Sequence, residues 1–250
     1  LTVASRLHQR GQAVIGVPKT IDNDIFGTEQ TFGFDTAVNI ATEAIDRLHT
    51  TAESHSRVLV VEIMGRQAGW IALAAGVAGG ADLVLLPEFP QNIDSICEVV
   101  KRRQAAGKNF SIVAVAEGFK LEGMEITQSD KEDAFGHIRL GGIGETLCKV
   151  IEKKTGIESR AVVLGHVQRG GTPTAFDRLL GTRYGVKAVD LALAGQSGKM
   201  VALKAGEIVA VDLESVIHEV PDKKTGGMKL RVKNRTVPKE LYDVAKVFFG

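Results

Sequence analysis

Within "GVPKTIDNDIFG", residues 16–27, a lysine, a threonine and two aspartates follow directly on an apolar run: Lys19, Thr20, Asp22 and Asp24. That set of groups suits phosphoryl transfer. One carboxylate can take the proton from an attacking hydroxyl, while a cation beside the other neutralises the phosphate oxygens. Asp22 is the candidate base and Asp24 the candidate metal-side group, with Lys19 and Thr20 offering charge and a hydroxyl to the transferred group. The same residues would also serve as an Asx-rich turn, so the reading depends on what else the chain places at comparable positions.

Three further polar clusters each follow an apolar run. Met64, Gly65 and Arg66 close the first, and Gly69 and Trp70 open the helical pattern after it. Glycine there permits close backbone approach, and N–H groups at a helix start favour an anion; a purely structural turn is the alternative. Glu117 and Gly118 end "IVAVA", where the carboxylate could accept from sugar hydroxyls or act as a cap. In "GHVQRGGTPTAFDR", His166 and Arg169 bracket a turn running into Gly170 and Gly171. Arginine offers phosphate a bidentate fork and histidine a shorter donor. Arg57 and Arg160 stand instead at the beginnings of apolar runs. In a monomer they would be solvated or salt-bridged, and in a symmetric oligomer they could reach a neighbour's site. "GGIGETL", residues 141–147, has part of a dinucleotide-loop pattern, but it lacks the third glycine and follows no expected strand.

The elements that must position these clusters alternate. Apolar runs at 13–17, 58–64, 83–86, 112–116 and 161–164 read as strands, and 35–51, 93–106, 143–154 and 174–193 as helices. Alternation of this kind gives parallel βαβ units, whose ligands sit beyond the carboxyl ends of the strands. Asn92, three residues before Ser95, is a weak cap signal. Residues 121–137 are polar and patternless. Beyond Lys199, "KMVALKAGEIVAVDL" has strand character, "PDKKTGGMKLRVKNRT" reads as a polar hairpin and "PKELYDVAKVFF" as a closing helix.

Composition narrows the partners. Lys plus Arg number 31 against 30 Asp plus Glu, a net charge of +1, which argues against nucleic acid or an anionic membrane as the ligand. The longest apolar run, residues 70–81, is broken by glycines and shorter than the ~20 residues of a membrane span. Two cysteines, Cys97 and Cys148, lie far apart in helical patterns with no signal-peptide core before them, so a cytoplasmic, reducing setting is expected. The chain starts at Leu1 with "LTVASRLHQRG", an amphipathic helix closed by Gly11, and reads as N-terminally truncated.

With "PKTIDND", "MGRQAGW", "AEG" and "GHVQRGGTPTAFDR" in that order, the chain closely resembles the phosphofructokinase family. The resemblance implies an α/β, three-layer parallel-sheet fold of two Rossmann-like lobes with the active site at the carboxyl ends of strands. It implies a donor-lobe remainder at 1–25, a mainly substrate lobe at 26–140, and substrate-site and C-terminal segments at 141–250. It implies transfer of a phosphoryl group from pyrophosphate to the 1-hydroxyl of fructose 6-phosphate, with Mg2+. Asp22 matches the family's base, Thr20 a residue holding the transferred group and Asp24 a position near the metal. Met64, Gly65, Arg66 and Glu117 match sugar-phosphate contacts, and His166 and Arg169 match 6-phosphate contacts. Arg57 and Arg160 match arginines supplied across the interface of a homodimer or homotetramer.

Lys19 resembles the pyrophosphate-dependent group and its close ATP-using relatives, so an ATP-dependent enzyme is the alternative. The family's donor-discriminating Gly-Gly-Asp loop lies upstream of Leu1, and this chain alone is expected to lack part of the donor cradle. A non-catalytic sugar-phosphate-binding subunit is a reading from another class, which intact Thr20, Asp22 and Asp24 speak against. Glu88 and Lys108 fall at effector-site positions, but His49 stands where an arginine would be expected, so effector control is not predicted.

Overall fold

A computed structural model describes residues 1–122, 141–221 and 226–249 of the chain. The polar segment expected at 121–137 and the tip of the late hairpin fall mostly outside them. Two compact units emerge, one formed by Leu1–Thr36 with Thr172–Arg235, the other by Ala37–Gly171 with the residues from Thr236 onward. Helix α2 (Phe34–His55) begins in the first unit and continues into the second.

The second unit is built on a four-stranded, wholly parallel sheet in the order β3-β4-β2-β5: β2 (Val58–Ile63), β3 (Leu83–Leu85), β4 (Ser111–Ala116) and β5 (Ser159–Val163). Strands β2, β3 and β4 are buried at every position, as near-continuous apolar sequences require when helices cover both faces. Val58, Val60, Leu83, Leu85, Val113 and Val115 share one core with α4 (Ile93–Ala105) and α5 (Ile143–Thr155). On the opposite face lies α3 (Trp70–Ala78), where a Cβ added at Gly76 would meet Val84 and Ala114. Asn92 does cap α4, its Oδ1 accepting from Ser95 N at 2.8 Å. A short helix α7 (Lys239–Ala245) returns to this unit late in the chain, where the Tyr242 ring stacks on Phe89 with centroids 4.4 Å apart.

The first unit has helix α1 (Thr2–Gln9), a two-residue strand β1 (Ile15–Gly16), the long helix α6 (Ala175–Leu193) and two hairpins. Strand β6 (Lys199–Lys204) pairs parallel with β1 and antiparallel with β7 (Glu207–Asp212). This sheet is therefore mixed rather than wholly parallel, because the β6–β7 turn, with Ala205 and Gly206 both at positive φ, is the short hairpin type that fits a twisted antiparallel pair. The second hairpin, β8 (Ile217–Pro221) with β9 (Met228–Val232), occurs where a polar hairpin was expected.

The units divide at 36/37, 171/172 and 235/236, where the expected boundaries stood at 25/26 and 140/141. β5 explains the later division: it pairs with β2 in register Leu59↔Arg160, so residues 141–171 complete a sheet begun 100 residues earlier. Sequence order alone does not disclose that pairing.

Candidate active site

The "PKTIDND" segment forms a tightly bonded turn in the first unit. Asn23 sits at φ 53, left-handed, a region that asparagine tolerates better than most residues. Its buried amide holds it there: Oδ1 accepts from Thr31 N at 3.0 Å and Nδ2 donates to Glu29 O. Thr20 Oγ1 accepts from Asp22 N at 3.2 Å and donates to Asp22 Oδ2 at 3.1 Å, and Thr31 Oγ1 donates to the Thr20 carbonyl at 2.7 Å. Asp22 is only 6% exposed, Asp24 half-buried and Lys19 exposed. The Thr20 hydroxyl therefore closes the turn and orients the Asp22 carboxylate.

Arg235, which falls within the segment expected to be a polar hairpin, closes the turn from the far end of the same unit. Its amide donates to Asp24 O at 2.7 Å and its guanidinium to Asn23 O at 3.4 Å. Burial pushes its pKa down, with nearby Glu29 opposing. Among the described residues no three His, Cys, Asp or Glu side chains gather as a metal cluster. Two carboxylates and a hydroxyl nevertheless fit magnesium, which keeps several waters and takes one or two carboxylates alongside phosphate oxygens.

In the second unit the β2 end carries Met64, Gly65 and Arg66, and its backbone donors are already engaged. Met64 N donates to Gln168 Oε1 at 2.9 Å; Gly65 N and Arg66 N donate to Glu117 Oε1 at 3.2 and 2.8 Å. Gly69 N, at the start of α3, donates to both oxygens of Glu88. The anion expected at this helix start is thus the protein's own carboxylate. Glu117 serves the loop as a backbone acceptor. The backbone is tight: Arg66 lies at φ 55, and a Cβ on Gly118 would stand 2.0 Å from Arg66 O.

After β5 the chain makes a 3-10 turn, Gly165–Arg169, leaving His166 and Arg169 exposed and Gln168 buried. At the opposite end of the sheet, Arg57 Nε donates to Glu158 Oε2 at 2.7 Å, and Arg160 reaches Glu158 Oε1 at 2.5 Å. One carboxylate therefore gathers both arginines, which keep the strand-beginning placement expected of them. The two guanidiniums hold the Glu158 pKa below its ordinary value, Arg57 first by its hydrogen bond and Arg160 by charge.

Residues 1–192 match the family model described as phosphofructokinase. The chain belongs to the phosphofructokinase family. Across its whole length it is 56% identical to the pyrophosphate–fructose 6-phosphate 1-phosphotransferase of Amycolatopsis mediterranei and 49% identical to the ATP-dependent 6-phosphofructokinase of Mycobacterium leprae, spanning 69% of each. The phosphofructokinase structure of Saccharomyces cerevisiae superposes on 81% of the chain with a TM-score of 0.69 and 35% identity. The chain spans 26% of that yeast polypeptide.

Five polar residues not expected among the catalytic or substrate-binding ones bond to backbone groups within their own units. Gln168, Glu88 and Arg235 are described above; Asp177 and Glu62 are the others. Asp177, in the "AFDR" of the fourth motif, accepts from Gly33 N and Thr36 N, each at 2.8 Å. Glu62, 3% exposed, accepts from Gly142 N and Gly144 N. The glycines of "GGIGETL" therefore cradle an internal glutamate rather than a dinucleotide. A lone acid inside the apolar strand "VLVVEI" was the available signal, since a buried charge requires partners. His49, where an effector-binding arginine was expected, donates Nε2–H to Gly79 O at 2.7 Å.

Proposed function

We propose that the protein is a 6-phosphofructokinase transferring a phosphoryl group to the 1-hydroxyl of fructose 6-phosphate, with pyrophosphate as donor. The observation that carries the reading is the ordered Thr20–Asp22–Asn23–Asp24 turn, in which Thr20 Oγ1 donates to Asp22 Oδ2 at 3.1 Å and fixes the carboxylate's orientation. Asp22 takes the proton of the sugar hydroxyl, whose oxygen bonds to the terminal phosphorus of pyrophosphate as the bridging P–O bond breaks and phosphate leaves. Thr20 and Lys19 hold the transferred group; Lys19 is exposed and available to anionic oxygens. Mg2+ at the Asp24 side would supply charge neutralisation to the donor phosphates.

Met64, Gly65, Arg66 and Glu117 shape the sugar-binding end of β2, and His166 and Arg169 take the 6-phosphate. Arg57 and Arg160, gathered on Glu158, act across the interface of a homodimer or homotetramer. The first unit is the donor lobe and the second the substrate lobe. ATP as donor is the second reading, favoured by the close ATP-dependent relative from Mycobacterium leprae. No described helix is long and apolar enough to cross a membrane, and both cysteines are free and buried; a cytoplasmic enzyme suits both facts.

The deciding experiment incubates the intact protein with fructose 6-phosphate, Mg2+ and either pyrophosphate or ATP. Fructose 1,6-bisphosphate formed with pyrophosphate is the expected result. Turnover with ATP alone reverses the donor assignment. Sugar-phosphate binding without turnover on either donor would make the chain a non-catalytic subunit.

A further inference from the structure

We propose that Gln168 is a positioning residue that sets the His166–Arg169 turn and the Met64–Gly65–Arg66 strand end as one rigid recognition unit; the inference rests on the phosphofructokinase reading. β2 and β5 are neighbours, with Glu62 opposite Val163 and Leu164 N donating to Glu62 O at 3.1 Å. The two polar clusters therefore leave adjacent strands side by side. Between them Gln168 makes the side-chain link: Oε1 accepts from Met64 N at 2.9 Å.

Three observations set Gln168 apart from its turn. It is 1% exposed, whereas its neighbour Val167 is 65% exposed and His166 and Arg169 face outward. The arrangement is inverted, with an apolar side chain in solvent and the amide beneath. Its amide orientation is dictated, because Met64 N can only donate and so must face Oε1. Nε2 consequently points into the interior, with no acceptor among the described residues. Burying an unanswered donor is unfavourable, and a leucine or methionine would fill the space without it. What the amide adds at this place is the bond to Met64 N.

Glu117 completes the pattern from the other side. It follows β4, the second neighbour of β2, and takes Gly65 N and Arg66 N. The β2 end is thus pinned from both flanking strands, by Gln168 toward the 6-phosphate turn and by Glu117 toward the sugar. Loss of the Gln168 link leaves the chemistry at Asp22 untouched while loosening the register between the two sets of contacts.

The test compares Gln168→Met, which keeps the shape and loses the acceptor, with Gln168→Glu, which keeps an oxygen facing Met64 N. For Gln168→Met we expect a KM for fructose 6-phosphate raised about tenfold with kcat within about twofold, the pattern of lost binding rather than lost chemistry. Faster amide hydrogen exchange at Met64 should accompany it. Gln168→Glu should stay within about threefold of the parent KM, by the same hydrogen-bond reasoning, with slow Met64 exchange. Unchanged KM and exchange in Gln168→Met, a fall in kcat alone, or a Gln168→Glu as impaired as Gln168→Met would overturn the inference. Should the parent protein turn over with neither donor, the functional reading fails separately, and exchange at Met64 in the two variants still decides the coupling. If Gln168→Met does not fold, a Gln168→Glu variant with parent-like KM and Met64 exchange sustains the proposal, and one with raised KM and fast exchange removes it.

Discussion

Asp177 closes the N-terminus of α2 through Thr36: its Oδ2 accepts both the amide of Thr36, at 2.8 Å, and the hydroxyl. Its Oδ1 takes Gly33 N, and the exchange is mutual, because at the start of α6 Thr174 N donates to Thr36 Oγ1 at 3.2 Å and the Thr174 hydroxyl to Asp35 Oδ2 at 2.6 Å. Two helix starts cap one another with side chains from the first turn of each. Asp177→Ala strands half-buried donors at Gly33 and Thr36, an expected loss of about 2 kcal/mol from a lost cap and unanswered charge-assisted bonds. Urea unfolding measures it. A loss under about half a kcal/mol would mean that water replaces the carboxylate at little cost.

Asp22→Ala is expected to lower kcat by about a hundredfold to ten-thousandfold, the usual range for a general base, while the KM for fructose 6-phosphate changes little. Steady-state kinetics on the intact protein separates the two. A proportionate loss of sugar-phosphate binding would assign Asp22 to binding instead, and a variant with parent-like kcat would remove the base from this turn altogether.

Gly118 touches the site through absent volume. A Cβ there would stand 2.0 Å from Arg66 O and 3.3 Å from Gln67 Cα, so Gly118→Ala must push the Arg66 backbone off Glu117. Overpacking of this kind typically costs about 1–3 kcal/mol, and here a raised KM for fructose 6-phosphate should come with it. Thermal melts and kinetics together check it; a stable variant with unchanged KM would show that the loop yields without consequence.

The strands and helices of the second unit were legible because a strand covered on both faces must be apolar throughout, and "VLVVEI" and "SIVAVA" are nearly so. The clusters at strand ends were legible for the same topological reason. Carboxylate partners were not. Glu62, Glu117 and Asp177 bond to backbone N–H groups between 51 and 144 residues away, and a backbone donor has no residue code to match. Glu117 was read toward a sugar hydroxyl or as a cap, and the backbone partners of its Oε1, Gly65 N and Arg66 N, were not foreseen. Gln168 was hidden differently: among His166, Arg169 and two glycines it looked like one more exposed polar residue, and only burial distinguishes it.

Glu158 gives a pH signature. Its folded pKa is lowered by Arg57 and Arg160, so the stabilisation it contributes is present above the unfolded glutamate pKa and is lost as pH falls through the lowered folded value. An NMR titration of its carboxyl should have a midpoint below the ordinary value of about 4.3, and Arg57→Ala should move that midpoint upward. A midpoint at the ordinary value in the parent protein would mean that the arginines are not gathered on this carboxylate in solution.

Glu62 behaves toward "GGIGETL" as a ligand covalently supplied by the fold. Its oxygens lie 2.8–3.1 Å from Gly142 N and Gly144 N, on a strand of the sheet where it is 3% exposed. Glu62→Ala would leave these donors around a vacancy of carboxylate size, and a small anion such as formate would fill it. The melting temperature of that variant should climb with formate concentration while the parent's does not, as expected when a solute binds only the folded state; equal response of both proteins would refute the cradle. The choice of buffer anion would then govern the stability of a protein that ordinarily carries its own.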